Sequence, residues 1–146
     1  MIKGRLLSLF VTISLVCSVS AQQKKIILDA DTGNEVDDLY AIVRALIEPS
    51  WDITALNAAQ WQSSQWAVDF TMEESHRLNQ VLVGYLKMND RVPTFRGGIR
   101  RMNDWGDKAQ HSAAAYEIIK QAHSVPEGEK QAVVVLGALT KVASEL

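Results

Sequence analysis

The chain has 146 residues, 47% hydrophobic and 22% charged, which is enough apolar material for one cored domain and too much for a disordered chain. Its 15 lysines and arginines stand against 17 aspartates and glutamates, a formal charge of -2. No dense Lys/Arg tract is present to follow a phosphate backbone, which argues against a nucleic acid polymer as partner.

Residues 1–21 read as a secretory signal. Lys3 and Arg5 precede an apolar stretch from Leu6 to Val16, and Val19-Ser20-Ala21 ends it before the cut. The apolar centre is too short for a comfortable membrane span, so residues 22–146 are expected to be exported, periplasmic or extracellular, with no membrane span after cleavage. The only cysteine, Cys17, lies in this segment, so the mature chain is expected to carry neither thiol nor disulfide.

Lys25 to Ala30 reads as a buried strand, and Leu39, Ile42, Val43, Leu46 and Ile47 then recur at helical spacing until Pro49 closes the helix. Ile53 to Leu56 is a second short strand. A long helix is predicted from about Ser64 to Lys87, with Trp66, Phe70, Leu78, Val81, Leu82 and Tyr85 on one apolar face. Arg91 to Phe95 is a brief third strand whose Pro93 suits a strand end, followed by a turn at Arg96-Gly97-Gly98. A helix over about Ser112 to His123, a strand over Ala132 to Leu136 and a final helix begun by Leu139, Val142, Ala143 and Leu146 complete the series.

This alternation predicts an α/β fold: an open, mostly parallel Rossmann-like sheet with helices on both faces. The last helix stops after two turns without a cap, so the reading expects a fold truncated after about four strands. Such sheets bind ligands beyond the carboxyl ends of their strands. Two polar clusters are predicted there: Asp29 to Asp38, and Gly137 to Lys141.

The stretch LDADTGNEVDD gathers Asp29, Asp31, Glu35, Asp37 and Asp38 at the end of a buried strand. Like charges at the edge of a core raise one another's pKa and cost stability unless something positive sits among them. Asp29 and Asp31 alternate about the strand end, while Asp37 and Asp38 open a helix, where unpaired amides and the helix dipole favour a carboxylate. Helix capping accounts for one of that pair and leaves the set unexplained. Four carboxylates converging on one turn, with Gly33 letting the backbone bend, predict an all-oxygen site for a hard cation, calcium or magnesium. Trp61 and Trp66 flank the expected ligand edge and are read as packing rather than stacking on a base. His76, His111 and His123 share no metal-ligand spacing and are read as surface residues, and Arg96, Arg100 and Arg101 as solvating a loop.

LDADTGNEVDDLYAI resembles the amino-terminal signature of the inosine-uridine preferring nucleoside hydrolases, Asp-x-Asp-Pro-Gly-x-Asp-Asp followed by a small-apolar helix. VVVLGALTKVA resembles that family's strand ending in Gly-Pro-Leu-Thr-Asn, and VPTFRGG is similar to its Val-Pro-Val strand and Gly turn. The matches span Lys25 to Leu146, about the amino-terminal half of a usual member. The resemblance implies a calcium-dependent hydrolase of the N-ribosyl bond of nucleosides. It implies that Asp31 touches calcium and takes a proton from the attacking water, and that Asp38 holds calcium through both oxygens. Asp37 would bind a ribose hydroxyl, Thr140 would offer its main-chain carbonyl to the metal, and Asp29 would be supporting. The chain departs from the pattern by two extra residues between Asp31 and Asp37, where Asn34 and Glu35 suggest a divergent exported branch. Asn57 and Ala59 both lie near the expected ribose-binding asparagine, Ala138 stands where proline is common, and Lys141 where asparagine is. The fourth metal aspartate and neighbouring histidine of the family fall beyond residue 146.

Two rival readings stand beside it. ILDADTG also resembles the Asp-x-Asp-x-Thr strand end of haloacid dehalogenase-like phosphatases, with Asp29 as nucleophile, Asp31 as acid/base and Mg2+ as cofactor. The other is a non-catalytic fragment, inactive by itself. A homo-oligomer is compatible with either enzyme reading.

Overall fold

The structure, a computed structural model, describes residues 23–62, 65, 67–101 and 108–143. The predicted signal with Cys17, the helix start at Ser64 and Trp66 lie outside the described residues. Four strands and four helices alternate: β1 (Lys24–Ala30), α1 (Val36–Leu46), β2 (Trp51–Ala58), α2 (Thr71–Tyr85), β3 (Thr94–Arg96), α3 (Ala113–Ser124), β4 (Ala132–Val135) and α4 (Thr140–Ala143). The strands form one parallel sheet in the order β3-β2-β1-β4. The α/β open sheet read from the sequence is the fold observed.

Strand order decides which face each helix covers. From β1 the chain steps outward to β2 and β3, then returns across β2 and β1 to β4. Because parallel crossovers are right-handed, reversing the direction of the step moves the connecting helix to the other face. Accordingly Ile42, Ala45 and Leu46 of α1 and Val83 of α2 pack with Ile26, Leu28, Ala30, Ile53 and Leu56. On the opposite face Ile118 of α3 packs with Ile27 and Ala55, joined by Phe95, Val133 and Val142. Side-chain alternation along β1 thus feeds both cores. A register shift between Ile26 and Ile27 leaves Thr54 as an extra residue in β2, where its hydroxyl donates to Gln121 Oε1 of α3 at 2.6 Å.

Several predicted boundaries shift. β2 extends beyond Ile53 to Leu56 on both sides because Trp51 to Ala58 pair with β1, which brings Asn57 inside the strand. β3 is only Thr94–Arg96: Pro93 has no N–H to donate, although its carbonyl accepts from Leu56 N at 3.0 Å. α3 begins after Ser112, whose hydroxyl accepts from Ala115 N at 3.2 Å as an N-cap.

The larger correction concerns α2. It starts at Thr71, and the predicted apolar face is split: Leu82 packs against the core and Leu78 is half-buried, while Phe70, Val81 and Tyr85 are exposed, Tyr85 at 84%. The buried face carries Thr71, Met72, Ser75, His76, Asn79 and Val83. Among the described residues, no helix is long and apolar enough to cross a membrane.

Candidate functional site

The sheet reverses its strand order between β1 and β4, where a crevice opens at the carboxyl ends of open parallel sheets. Here the two polar clusters meet. Leu136 N, just past β4, donates to Asp29 O at 2.8 Å. Gly137 then passes so close to the acidic loop that a Cβ placed on it would lie 2.7 Å from Asp31 Cβ and overlap the Asp31 carboxyl group. Only glycine fits against that side chain.

The loop itself is tightly built. Asn34 N donates to Asp31 O at 3.0 Å, closing a turn around Gly33, which has φ +103°. A Cβ on Gly33 would also stand 2.8 Å from Leu78 Cδ1 of α2. Asn34 Nδ2 reaches back to Asp31 Oδ2 at 3.1 Å, so the asparagine steadies the carboxylate as well as the turn. Asp31 is buried, and half-buried Asp38, in the first turn of α1, makes a side-chain hydrogen bond to it. Burial first, then the negative charges of Asp31, Asp37 and Glu35, push the Asp38 carboxyl up to about 6 from its ordinary 3.8.

The expected convergence of four carboxylates is therefore a pair. Asp31 and Asp38 meet, with Asn34 beside them. Asp37 neighbours Asp38 on α1 but is exposed, because adjacent helical positions point about 100° apart. Asp29, two residues before Asp31 on β1, is fully buried. Among the described residues no group of three or more His, Cys, Asp or Glu side chains is placed to hold a metal. Thr140 opens α4 directly after the loop seated on Asp31.

Asn57 lies opposite Asp29 in the parallel register, at 0% exposure, and neither oxygen nor nitrogen of its amide has a hydrogen-bond partner among the described residues. Buried amides are rarely left so. Of the two candidates for a substrate-binding position, Asn57 within β2 and Ala59 just after it, Asn57 is the one with unmet hydrogen-bonding capacity.

Trp61 is packed, as read: it is buried and its indole N–H donates to Ser75 Oγ at 3.2 Å. His111 and His123 are exposed, but His76 is 2% exposed, which corrects its assignment to the surface. It turns inward because α2 presents its polar stripe to the carboxyl-edge loops. Burial, then nearby Arg96, hold its imidazole below the usual histidine pKa, against the opposing pull of Glu73. Arg96 is paired with Glu73 at 2.8 Å. The sequence reading missed Thr32, Gln60, Thr71, Ser75 and Asn79, all buried polar residues of this edge. The signal was legible in Thr71, Ser75 and Asn79, which recur every fourth residue.

An open cleft of about 640 Å³ lies at the opposite, amino edge, lined by Gln23, Lys24, Lys25, Gln121, Ser124 and Lys130 among others. Amide or hydroxyl donors of Gln23, Gln121, Ser124 and Gln131 there already serve protein oxygens, which leaves its lysines without a built polar floor.

No family model matches this chain, and no curated protein matches it.

Proposed function

We propose that the protein is a calcium-dependent hydrolase of the N-ribosyl bond of nucleosides or related ribosyl compounds, working outside the cytoplasm. One observation carries the reading: at the switch point the Asp31 carboxyl group lies against Gly137, after β4, and shares a hydrogen bond with the Asp38 carboxyl group. The donor set suits a hard cation in part. Two carboxylates and nearby main-chain oxygens are its preferred ligands, with water completing a shell that these side chains leave open. Asp31, Asp38 and the Thr140 carbonyl would hold it, and Mg2+ is the alternative ion.

Bound there, calcium would polarise a water and a sugar diol. Asp31, steadied by Asn34, accepts the proton of the attacking water. Asp37, exposed on the first turn of α1, receives a ribose hydroxyl. Asn57 offers a buried amide whose donor and acceptor are both unspent. The acidic surroundings favour an oxocarbenium-like sugar over the neutral substrate. The rival phosphatase reading, with Asp29 as nucleophile, gives no role to the Asp37-Asp38 pair that opens α1.

The test is release of free base from a panel of nucleosides by the purified protein, with calcium and with chelator. Asp38→Asn is expected to lower calcium affinity at least about tenfold by calorimetry and abolish base release, since a two-oxygen anionic ligand becomes one neutral oxygen. Phosphate release with Mg2+ and no base release would overturn the proposal in favour of the phosphatase.

A further inference from the structure

We infer that Asn79 is a positioning residue, a buried clamp that fixes the acidic loop relative to the carboxyl end of β2. Asn79 sits in the middle of α2 at 0% exposure. Its Nδ2 donates to the main-chain carbonyl of Asn57 at 3.4 Å, and its Oδ1 accepts from the Thr32 hydroxyl at 2.6 Å. A main-chain carbonyl can only accept, so the amide has one orientation, and the Thr32 hydroxyl is obliged to donate.

Thr32, also at 0% exposure, is the residue directly after Asp31. One side chain therefore bridges the neighbour of the proposed base and the backbone of the proposed substrate-binding asparagine. At the end of β1 the main chain is tied to the residue after β2 by Ala59 N donating to Ala30 O, at 2.7 Å. Beyond it the loop leaves the sheet ladder, and the Thr32–Asn79–Asn57 bridge continues the connection through a helix. A site whose members come from different elements needs such a brace, because small displacements of reacting groups cost large factors in rate. Since the network is buried and short, deleting one member leaves its partner unsatisfied.

This goes beyond the proposed reaction but rests on it for the roles of Asp31 and Asn57, so the experiment reads the loop and the ligand separately. Thr32→Val keeps the side-chain shape and removes the donated proton; Thr32→Ser keeps the hydroxyl; Asn79→Ala removes the clamp. Amide hydrogen exchange is measured over residues 31–38 and over β1 and β2, and calcium titrations are run by calorimetry on the same proteins. Thr32→Val and Asn79→Ala are expected to speed exchange in the loop at least tenfold while β1 keeps its protection. They are also expected to weaken calcium binding about tenfold, with Thr32→Ser close to the parent in both. Loop exchange unchanged in the Thr32→Val protein would overturn the inference. So would undiminished calcium affinity in a variant that has lost only global stability. If the parent itself binds no calcium, the metal reading fails, and the exchange comparison alone decides the clamp.

Discussion

Gly137 shows how one residue type can be dictated from across the sheet. Nothing in its own backbone requires glycine, because the constraint is the Asp31 side chain that occupies the place of its Cβ. Gly137→Ala is expected to cost about 1–3 kcal/mol, the range for forced overpacking, and to displace Asp31 from Asp38. A urea midpoint and a calcium titration on the same protein check both halves. Asp38 makes the complementary case. Its carboxyl ionises at about 6 in the folded chain against an ordinary 3.8, so the protonated form favours folding. The associated stability is complete below the unfolded value and lost as pH rises through the folded one. In chelator, Asp38→Asn is therefore expected to melt above the parent at pH 7.5, and the gap is expected to narrow by pH 4.5. Calcium at pH 7.5 should raise the melting temperature of the parent and not of the variant, because only the parent has the anionic partner.

At the level of elements, α2 carries the clearest lesson. Phe70, Leu78, Val81, Leu82 and Tyr85 form an apolar stripe by spacing, yet only Leu78 and Leu82 are partly covered and the other three face solvent. The competing stripe of Thr71, Ser75 and Asn79 is buried because it meets loops at the carboxyl edge, where main-chain groups and the Trp61 indole need hydrogen-bond partners. Thr71 Oγ1 accepts from Trp61 N at 3.0 Å, and Ser75 and Asn79 serve Trp61 Nε1 and Asn57 O. Helical periodicity reports that a face exists; it does not say what that face will touch. Ser75→Ala leaves a buried indole N–H without its acceptor and is expected to cost about 1–3 kcal/mol in urea denaturation. Phe70→Ser and Tyr85→Ser are expected to stay within about 0.5 kcal/mol of the parent, the reverse of what the apolar stripe predicts.

For the whole molecule, the order β3-β2-β1-β4 makes β1 and β2 interior strands and β3 and β4 the edges of the sheet among the described residues. Amides of Ile27, Leu28 and Leu56 are expected to exchange most slowly by NMR, and those of β3 and β4 earlier, because edge strands are bonded on one side only. Alternating strand and helix patterns, the turn at Gly33 and the density of acids after β1 were readable from the amino-acid sequence, since each depends on residues close together in the chain. Covalent order carried no information about which strand neighbours which. Only the tertiary structure placed β4 against β1, seated Gly137 on Asp31, reduced four expected acids to a contacting pair and turned the polar side of α2 inward. Those outcomes depend on contacts between residues far apart in the chain, and local periodicity has no term for them.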